Sequence, residues 1–541
     1  MNFLKAKGLK LTFINKGQNI VDEICCSEYV CPHTDPVFKN NCFLAKARQK
    51  AMTANLIIVN HALLLQDCFG ETPILPEYQY LIIDEAHQLE QVATDSLSMH
   101  LSLFQFHKPF ELLKKHLNHI LHTPTSLFEN SFNLQELGEI KEKVENILNR
   151  IEIFFGLVGI FYEKNLRVED NPYEVNLQKS DLGSMEWFQV RESGQSILAL
   201  GSAILVALQK VTGGIEKSTE ENGKKDIDPA AQKKELAAYG FECQKKIMEL
   251  GAILKNQDQP DDHVTWIYKN AQQNVGMKQS RLNVSEPLNT RLFAKKQSIV
   301  LTSATLRTDH GFNFIRSQLG LGPEFKEMEL PSHFTYPEQV KILIPEDLPE
   351  PMTEGYFMSC CQLIANIIKK NQGRTLVLFT AKKALAATYH KIAPQLKQEG
   401  FTVLAQNITG GRGKIIEHFK DEPEKCAIFG TNSFWEGVDL QGKQLNCVII
   451  QKLPFDPPSD PIISARSKKF MDPFNEYQLP RAILRFKQGF GRLIRSSQDT
   501  GSIVILDNRV VQKSYGRSFL ESLPEGIKIE YGTKSNLQDL L

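Results

Sequence analysis

The second half of the chain alternates between short apolar runs and helix-like stretches, and this alternation limits the fold more than any other feature. From about residue 339 onward, strands are predicted at VKILIP, RTLVLFT, FTVLAQ, CAIFGT, LNCVIIQK and GSIVILD. Between them, AKKALAATYHKIAPQLKQEG has helical periodicity and ends at Gly400, a helix stop signal. Strands that alternate with helices at this spacing indicate βαβ units and a parallel sheet. The predicted fold class is therefore α/β.

A second α/β segment precedes a long helical stretch in the first half of the chain. PEYQYLIIDEAHQLEQ predicts a buried strand at Tyr80–Ile83 that ends in polar residues. From about residue 96 to 290, helix-period segments dominate, with the charged linker KSTEENGKKDIDP between two of them. KKQSIVLTSATL (295–306) again predicts a strand followed by a turn of small residues. We therefore predict a helical insertion whose ends return to the same sheet.

Composition narrows the class of protein and its compartment. The 541 residues allow roughly three or four domains, and 63 basic against 63 acidic residues exclude a globally basic nucleic-acid binder but allow a local basic groove. The most apolar stretch, 196–208, is shorter than the roughly 20 residues of a membrane-spanning helix, and residues 1–13 lack the apolar core of a signal peptide. Ten unevenly spread cysteines favour a reducing compartment. We predict a cytoplasmic protein without a membrane partner.

Two adjacent carboxylates, Asp84 and Glu85, directly follow the predicted strand YLII. Ligand chemistry in open parallel sheets collects at the carboxyl ends of strands. There, one carboxylate can hold Mg²⁺ and the other can polarise an attacking water. A solvated acidic turn is the alternative for so short a motif, but its position after a strand favours the functional interpretation.

The stretch QGFGRLIR (488–495) combines glycines with arginines. Four polar side chains would share one face if the stretch were helical: Arg485, Gln488, Arg492 and Arg495. Gly489 and Gly491 would each cost about 1 kcal/mol inside a helix, so we expect a phosphate or a neighbouring backbone to approach closely there. The planar arginine fork suits phosphate recognition in phosphoryl transfer.

GTNSFWEGVDLQG (430–442) follows the predicted strand CAIFGT. Trp435, Glu436 and Asp439 lie where they would contact nucleotide, nucleic acid or both. A packed turn is the alternative interpretation of this segment.

Three cysteines, Cys26, Cys31 and Cys42, lie within 17 residues of a loop-like stretch. In a reducing compartment such clustering suggests a metal rather than a disulfide, although zinc or an iron–sulfur cluster normally takes four ligands. Cys25 is a poor fourth ligand because neighbouring side chains diverge, and Cys68 remains open, as do thiols without metal. The other five cysteines are predicted to lie in the core: Cys243, Cys360, Cys361, Cys426 and Cys447.

Taken in order, these motifs resemble the DinG/YoaA branch of the XPD-like superfamily 2 DNA helicases. DEAHQL resembles motif II, LTSATL (301–306) motif III, GTNSFWEGVDLQG motif V, and QGFGRLIR motif VI with its arginine fingers. RTLVLFTAKKAL resembles the start of the second motor domain, and CFLAKARQKAMTANLIIVNHALLL the segment that follows the cluster cysteines. The resemblance extends from about residue 20 to near the end, and the YoaA-like subgroup fits best.

The resemblance implies two RecA-like motor domains, the first of them incomplete, with an inserted helical arch and a cysteine-rich iron–sulfur segment. The implied boundaries are 1–52 for the iron–sulfur segment, 53–95 and 293–330 for the first motor domain, 96–292 for the arch, and 331–541 for the second motor domain. The implied reaction is ATP hydrolysis that drives 5′-to-3′ movement along single-stranded or forked DNA, in repair or replication.

The resemblance also implies roles for individual residues. Asp84 would bind Mg²⁺, Glu85 would activate water, and His87 would couple the ATP site to the rest of the motor. The nucleotide would be contacted from the second motor domain by Gln488, Arg492 and Arg495. Nucleic-acid contact or coupling would fall to Ser303, Thr305, Trp435, Glu436 and Asp439. Three ligands of a [4Fe–4S] cluster would be Cys26, Cys31 and Cys42.

One family motif has no counterpart in this sequence. The phosphate-binding loop G-x-x-x-x-G-K-[ST] is expected upstream of the cluster cysteines, together with a fourth cluster cysteine, but neither ITGGRGKII nor VTGGIEKST matches it. We therefore expect a helicase that lacks its N-terminal portion and has little ATPase activity alone, with a separate P-loop polypeptide as a potential partner. The alternatives are a non-catalytic protein that binds single-stranded DNA or a repair partner, and the C-terminal half of a split helicase.

Overall fold

The computed structural model describes residues 42–70, 73–123, 132–166, 174–213, 229–255, 262–270, 273–308, 311–351, 353–435 and 445–541. The predictions for Cys25, Cys26, Cys31, Glu436 and Asp439 lie outside these residues. The chain divides into two compact units: Met1–Gln79 with Gln91–Val284, and Tyr80–Glu90 with Ser285–Leu541.

The described residues form the following regular elements. The helices are α1 (Phe43–Met52), α2 (His61–Phe69), α3 (Leu89–Ser96), α4 (Leu103–His122), α5 (Leu134–Asn165), α6 (Met185–Thr212), α7 (Pro229–Lys255), α8 (Ser285–Arg291), α9 (Asn313–Leu319), α10 (Tyr336–Gln339), α11 (Glu354–Lys370), α12 (Lys382–Gln398), α13 (Arg412–Asp421), α14 (Asn432–Trp435), α15 (Pro461–Ser467), α16 (Leu479–Phe490), α17 (Arg509–Gln512) and α18 (Gly516–Glu521). The strands are β1 (Tyr80–Ile83), β2 (Met99–Ser102), β3 (Glu174–Asn176), β4 (His263–Lys269), β5 (Val275–Arg281), β6 (Ser298–Leu301), β7 (Val340–Pro345), β8 (Thr375–Leu378), β9 (Thr402–Ala405), β10 (Cys426–Gly430), β11 (Cys447–Ile450), β12 (Gly501–Ile505) and β13 (Lys528–Gly532).

The second unit contains a seven-stranded, fully parallel sheet in the order β13-β7-β12-β11-β8-β10-β9. The six strands predicted from residue 339 onward are all present, and the α/β prediction is confirmed. Strands β8, β10 and β11 are buried along their whole length, as expected for a parallel sheet with both faces covered. Strand β13 was not predicted, because KIEYG is too polar and too short to read as an apolar run.

A smaller parallel sheet in the same unit consists of β1 and β6. Tyr80 pairs with Ser298 and Ile83 with Leu301, so the two strands end at the same level. Beyond the strands the main chains stay joined: the Thr302 N–H donates to the Ile83 carbonyl at 2.9 Å, and the Ala86 N–H donates to the Thr302 carbonyl at 3.0 Å. The turns that follow the two strands are therefore held side by side.

The first unit combines long helices with a four-stranded antiparallel sheet in the order β2-β5-β4-β3. Helix α5 buries one stripe of apolar side chains, including Ile140, Ile147 and Phe154, at the spacing of a core-facing helix. The sequence predicted the helices of this region but not the sheet, because its strands lie far apart in a stretch where helical periodicity dominates.

Helix α6 contains the most apolar stretch of the sequence. It is the one helix among the described residues that is long and apolar enough to cross a membrane. Its residues Trp187, Ile197, Ile204 and Leu208 are buried in the hydrophobic core of the first unit. The remaining surface of the helix is less buried, so one apolar stripe accounts for its packing in this unit.

The five cysteines predicted to be core residues are all buried, which confirms that prediction: Cys243, Cys360, Cys361, Cys426 and Cys447. Burial raises the pKa of both Cys426 and Cys447 to about 12. These thiols are therefore protonated at neutral pH and act as small apolar side chains.

Candidate active site

The carboxylates predicted to be catalytic lie on a sharp turn at the end of β1. Glu85 has φ +52° and ψ +43°, the left-handed region that a residue with a side chain rarely adopts, and a short 3₁₀ turn (Ala86–Gln88) follows it. Such strain is typical of functional sites, where the surrounding structure holds a costly backbone conformation. Both Asp84 and Glu85 are exposed, and the Oδ1 of Asp84 accepts a hydrogen bond from the Glu85 N–H at 2.9 Å.

His87 joins this turn to the turn that follows β6. Its side chain is only 8% exposed, and its Nδ1 lies 2.8 Å from Ser303 Oγ, 3.4 Å from Thr305 Oγ1 and 3.3 Å from Glu85 Oε2. Ser303 Oγ also donates to Glu85 Oε2 at 3.3 Å and accepts from the Thr305 N–H at 3.1 Å. The structure thus brings four predicted site residues from two distant segments into one hydrogen-bonded group.

The hydrogen-bonded group continues to helix α16. Gln488 is buried, and its Nε2 donates to Thr305 Oγ1 at 3.4 Å. The neighbouring Lys487 Nζ donates to the Arg307 carbonyl at 3.4 Å. Within the described part of the chain, Gln488 Oε1 has no hydrogen-bond partner, so it remains an acceptor for a ligand or water. A continuous polar path therefore leads from the Asp84 turn to α16.

Two of the predicted arginines do not lie on this helix. Helix α16 ends at Phe490, so the expectation that Arg492 and Arg495 share a helical face with Gln488 is wrong. The physical reason is a local turn: Asp499 Oδ2 accepts the backbone N–H groups of Arg495 and Ser496 at 2.8 and 2.9 Å. Arg492 still lies close to the helix, because its Nε donates to the Gln488 carbonyl at 3.2 Å.

Asp499 is a residue that sequence reasoning missed. The only signal for it was the spacing Ser-x-x-Asp, a common turn motif, which does not reveal that the turn replaces the next part of a helix.

Arg485, the remaining residue of the predicted polar face, does lie on α16. Its Nη1 pairs with Asp456 Oδ1 at 2.9 Å.

The glycines of QGFGRLIR have different roles. A Cβ at position 489 would lie 2.7 Å from a ring carbon of Trp435 and 3.2 Å from Leu378 Cδ1. The close approach predicted at Gly489 is therefore made by an indole ring, rather than by a phosphate or a backbone segment. Gly491 lies at the end of the helix, where a Cβ would meet nothing nearer than 3.5 Å.

Trp435 occupies the core of the second unit. Its side chain is fully buried, and its Nε1 donates to the Phe379 carbonyl at 3.1 Å. In this position the ring has no free face for a base or a nucleotide, so the packed-turn interpretation describes it. Through Gly489, it links the turn after β10 to helix α16.

The implied Mg²⁺ and iron–sulfur cluster differ in how well the described residues suit them. Mg²⁺ needs only one or two carboxylates when substrate phosphates and waters complete its shell, and the exposed Asp84 and Glu85 satisfy this requirement. The described ranges contain no group of three or more His, Cys, Asp or Glu side chains that could hold a metal ion. Of the three predicted cluster cysteines, Cys42 is the one described, half-buried and immediately before α1.

The chain is similar in sequence to known DNA helicases. Residues 364–526 match the family of helicase C-terminal domains. The chain is 30% identical over 501 residues to the ATP-dependent DNA helicase YoaA of Escherichia coli (strain K12), covering 90% of this chain and 70% of that protein. The chain belongs to the DinG/YoaA helicase family. This confirms the resemblance drawn from the motifs.

Other members of the DinG/YoaA family are similarly related. The chain is 29% identical to the ATP-dependent DNA helicase YoaA of Haemophilus influenzae, covering 93% of this chain and 72% of that protein. It is 32% identical to the 3'-5' exonuclease DinG of Bacillus subtilis, covering 89% of this chain but spanning only 53% of that protein. A solved XPD helicase structure has the same fold, with a TM-score of 0.52 at 14% identity over 92% of this chain and 77% of that one.

Proposed function

We propose that this chain carries the motor machinery of an ATP-dependent DNA helicase that moves 5′-to-3′ on single-stranded or forked DNA, in repair or replication. The observation that carries the proposal is the hydrogen-bonded path from Glu85 through His87, Ser303 and Thr305 to Gln488. It joins the segment that resembles motif II to the one that resembles motif VI, as a motor must if nucleotide state is to change its conformation.

Within this proposal, the exposed carboxylates at the end of β1 perform the hydrolysis. Asp84 would hold a Mg²⁺ ion, which would neutralise charge on the phosphates of ATP. Glu85 Oε2 would accept a proton from the attacking water, and its hydrogen bond from Ser303 keeps that oxygen in place. His87 contacts Ser303 and Thr305, and through Thr305 it would transmit conformational changes at this site to Gln488.

The segment after α16 would supply the positive charge. Arg492 directly follows the end of α16 and Arg495 lies on the turn fixed by Asp499, so both lie outside any helix, and such a segment can deliver a guanidinium without the rigid spacing of helical residues. We assign both to the nucleotide phosphates. Glu436 and Asp439 keep their proposed role in nucleic-acid contact or coupling, whereas Trp435 would act in coupling alone, through its packing against Gly489.

The domain assignment is part of the proposal. Residues 53–95 with 293–330 would form an incomplete first motor domain, 96–292 the arch, and 331–541 the second motor domain. In support, β1 and β6 make a sheet of two strands, and their side chains Tyr80, Ile82 and Val300 are 72%, 73% and 50% exposed. Each strand of a two-stranded sheet also has an outer edge that can pair with a further strand, and an exposed apolar face can pack against another layer. A separate polypeptide with a P-loop would supply both.

An iron–sulfur cluster bound by Cys26, Cys31 and Cys42 completes the proposal for residues 1–52. It is supported by the cysteine spacing and by the position of Cys42 just before α1. Iron content and visible absorbance of protein purified without oxygen measure it directly, and Cys42→Ser should lower both. Iron that is unchanged in this variant would remove Cys42 from the ligand set.

The test of the proposed reaction is DNA-stimulated ATP hydrolysis, measured with the 541-residue chain alone and together with a polypeptide that carries a P-loop. We expect weak turnover alone, stimulated turnover with the partner, and a loss of at least about a hundredfold in Glu85→Gln, because a general base contributes about that much. The control is Glu525→Gln, an exposed carboxylate far along the chain, which should leave turnover unchanged.

The outcome also decides between the proposal and its alternative. Stimulated turnover by the chain alone, lost in Glu85→Gln, would contradict the impaired-motor part of the proposal. Salt-sensitive binding to single-stranded DNA without turnover under either condition would instead support a non-catalytic DNA-binding protein.

A further inference from the structure

A group of five charged side chains, none of them more than 27% exposed, lies in the second unit, apart from the path that leads through His87. We call it the Glu90 cluster: Glu90, Asp456, Arg466, Arg481 and Arg485. Glu90 Oε1 lies 2.8 Å from Arg466 Nη1, and its Oε2 lies 2.9 Å from Arg481 Nη1. Asp456 Oδ2 lies 2.8 Å from Arg481 Nε. Arg481 therefore bridges two carboxylates.

The members of the cluster come from four separate segments. Glu90 lies on α3, three residues after His87, whereas Arg481 lies on α16, seven residues before Gln488. Asp456 lies in the loop after β11, and Arg466 lies on α15. The cluster thus joins the same two segments as the His87 path, the Asp84 turn and helix α16, but at a second point.

Burial makes this connection stiff. The side chains of Glu90 and Arg466 are 8% and 4% exposed, and the guanidinium of Arg481 lies over the Tyr477 ring at 5.3 Å. Burial lowers the pKa of Arg481, but the Glu90 carboxylate, the Tyr477 hydroxyl and the Asp456 carboxylate raise it by more, so the net pKa lies above its ordinary value. Arg481 stays charged, and removing either of its carboxylate partners would leave a buried charge uncompensated.

From this geometry we infer that Arg481 is a positioning residue of the motor. It fixes the distance between the Asp84 turn and α16, so that the hydrogen bond from Gln488 to Thr305 forms with the catalytic carboxylates in place. A single 3.4 Å hydrogen bond holds two segments weakly, whereas the guanidinium of Arg481 contacts two carboxylates through two different nitrogen atoms, Nη1 and Nε. The catalytic consequence rests on the proposed function; the structural connection does not.

The test measures backbone hydrogen–deuterium exchange in residues 84–90 and in β8 and β10 of the full chain. Arg481→Gln removes the bridge, and Arg481→Lys keeps the charge without the fork. The control is Arg374→Gln, which removes an arginine paired with Glu424 at the surface of the same unit. If Arg481→Gln fails to fold, Glu90→Gln tests the same bridge from its other end.

We expect the amides of Ala86 and Gln88, both hydrogen-bonded in the native turn, to exchange about tenfold faster or more in Arg481→Gln, since Glu90 keeps its contact with Arg466 but loses the one that joins it to α16. Exchange in β8 and β10 should change little, Arg481→Lys should recover part of the protection, and the control should match the parent. Unchanged exchange at 84–90, or an equal increase throughout the unit, would overturn the inference. Because exchange needs no nucleotide, this result stands whether or not the chain hydrolyses ATP.

Where turnover is present, it provides a second readout. A positioning role predicts that Arg481→Gln lowers kcat for ATP by about tenfold while KM changes little, because the catalytic groups are misplaced but the phosphate contacts remain. A purely stabilising role predicts parent-like kcat at temperatures where the variant is folded, and that result would also contradict the inference.

Discussion

The two parallel sheets of the second unit are held in different ways. In the seven-stranded sheet, strands β8, β10 and β11 are buried on every residue, and apolar packing on both faces holds them. In the sheet of β1 and β6, alternate side chains are exposed, and the polar turns at the strand ends make the contacts: His87 with Ser303, and Gln488 with Thr305. Packing therefore fixes the large sheet, and hydrogen bonds and charges fix the ends of the small one.

This difference bears on how the motor would work. A close-packed sheet resists rearrangement, because its contacts are lost together when one part shifts. Polar contacts at the end of a small sheet are few and directional, so a ligand at Asp84 and Glu85 can change them one at a time. The chemistry proposed for Asp84 and Glu85 would thus lie on the more adjustable of the two sheets.

The largest expected effect is a loss of stability when a buried side chain of the large sheet is truncated. Phe429→Ala in β10 should lower the free energy of unfolding by about 3–5 kcal/mol, because its ring is fully buried and packs against Phe379 at 5.3 Å. Urea unfolding of the parent and the variant measures it. A loss below about 1 kcal/mol would show that packing does not dominate the large sheet.

The contact between α16 and the large sheet should tolerate no added volume. Gly489→Ala places a methyl group 2.7 Å from the Trp435 ring and should cost about 1–3 kcal/mol. Gly491→Ala, on the same segment but open, is the matched control and should be close to neutral. Helix propensity favours Ala over Gly, so it cannot account for a cost in either variant. Equal costs in the two variants would therefore mean that the indole contact does not determine the effect.

A smaller effect should appear in the pH dependence of stability, through the Glu90 cluster. Burial raises the pKa of Asp456, but Arg481 and Arg485 lower it by more, so its folded value lies below the ordinary 3.8. The stabilisation is complete above pH of about 4 and is lost as the pH falls through the folded pKa. The Tm gap between the parent and Asp456→Asn should therefore be constant at neutral pH and narrow below pH of about 4. A gap that widens in acid would reverse the assigned sign.

The smallest effect is expected on the exposed face of the small sheet. Tyr80→Ala should change the free energy of unfolding by no more than about 0.5 kcal/mol, because the ring is 72% exposed. The same urea titration measures it beside Phe429→Ala. Adding a P-loop polypeptide that covers this face should increase the cost of Tyr80→Ala, whereas a large cost in the chain alone would show that the face is already covered.

Several features were predictable because they are local. The strands of the large sheet are continuous apolar runs, helix α12 ends before Gly400 with φ +83°, and the core cysteines lie inside periodic segments. The antiparallel sheet of the first unit was missed because β2 and β5 are separated by about 170 residues, and no local pattern reports such a pairing. The roles of the predicted catalytic residues and of the predicted iron–sulfur cysteines stay predictions.

The sequence by itself determined the α/β class, the order of the motifs and the family, since these follow from apolar periodicity and from short stretches at strand ends. Only the tertiary structure decided which side chains meet. It joined His87 to Ser303, which lies more than 200 residues away in the sequence, and it packed Gly489 against an indole ring. It also placed Arg492 and Arg495 outside the helix that was predicted to contain them. It also gathered Glu90 and Arg481 into one buried cluster. Such contacts depend on how distant segments pack, and the free energy that selects them is shared by residues that no local pattern connects.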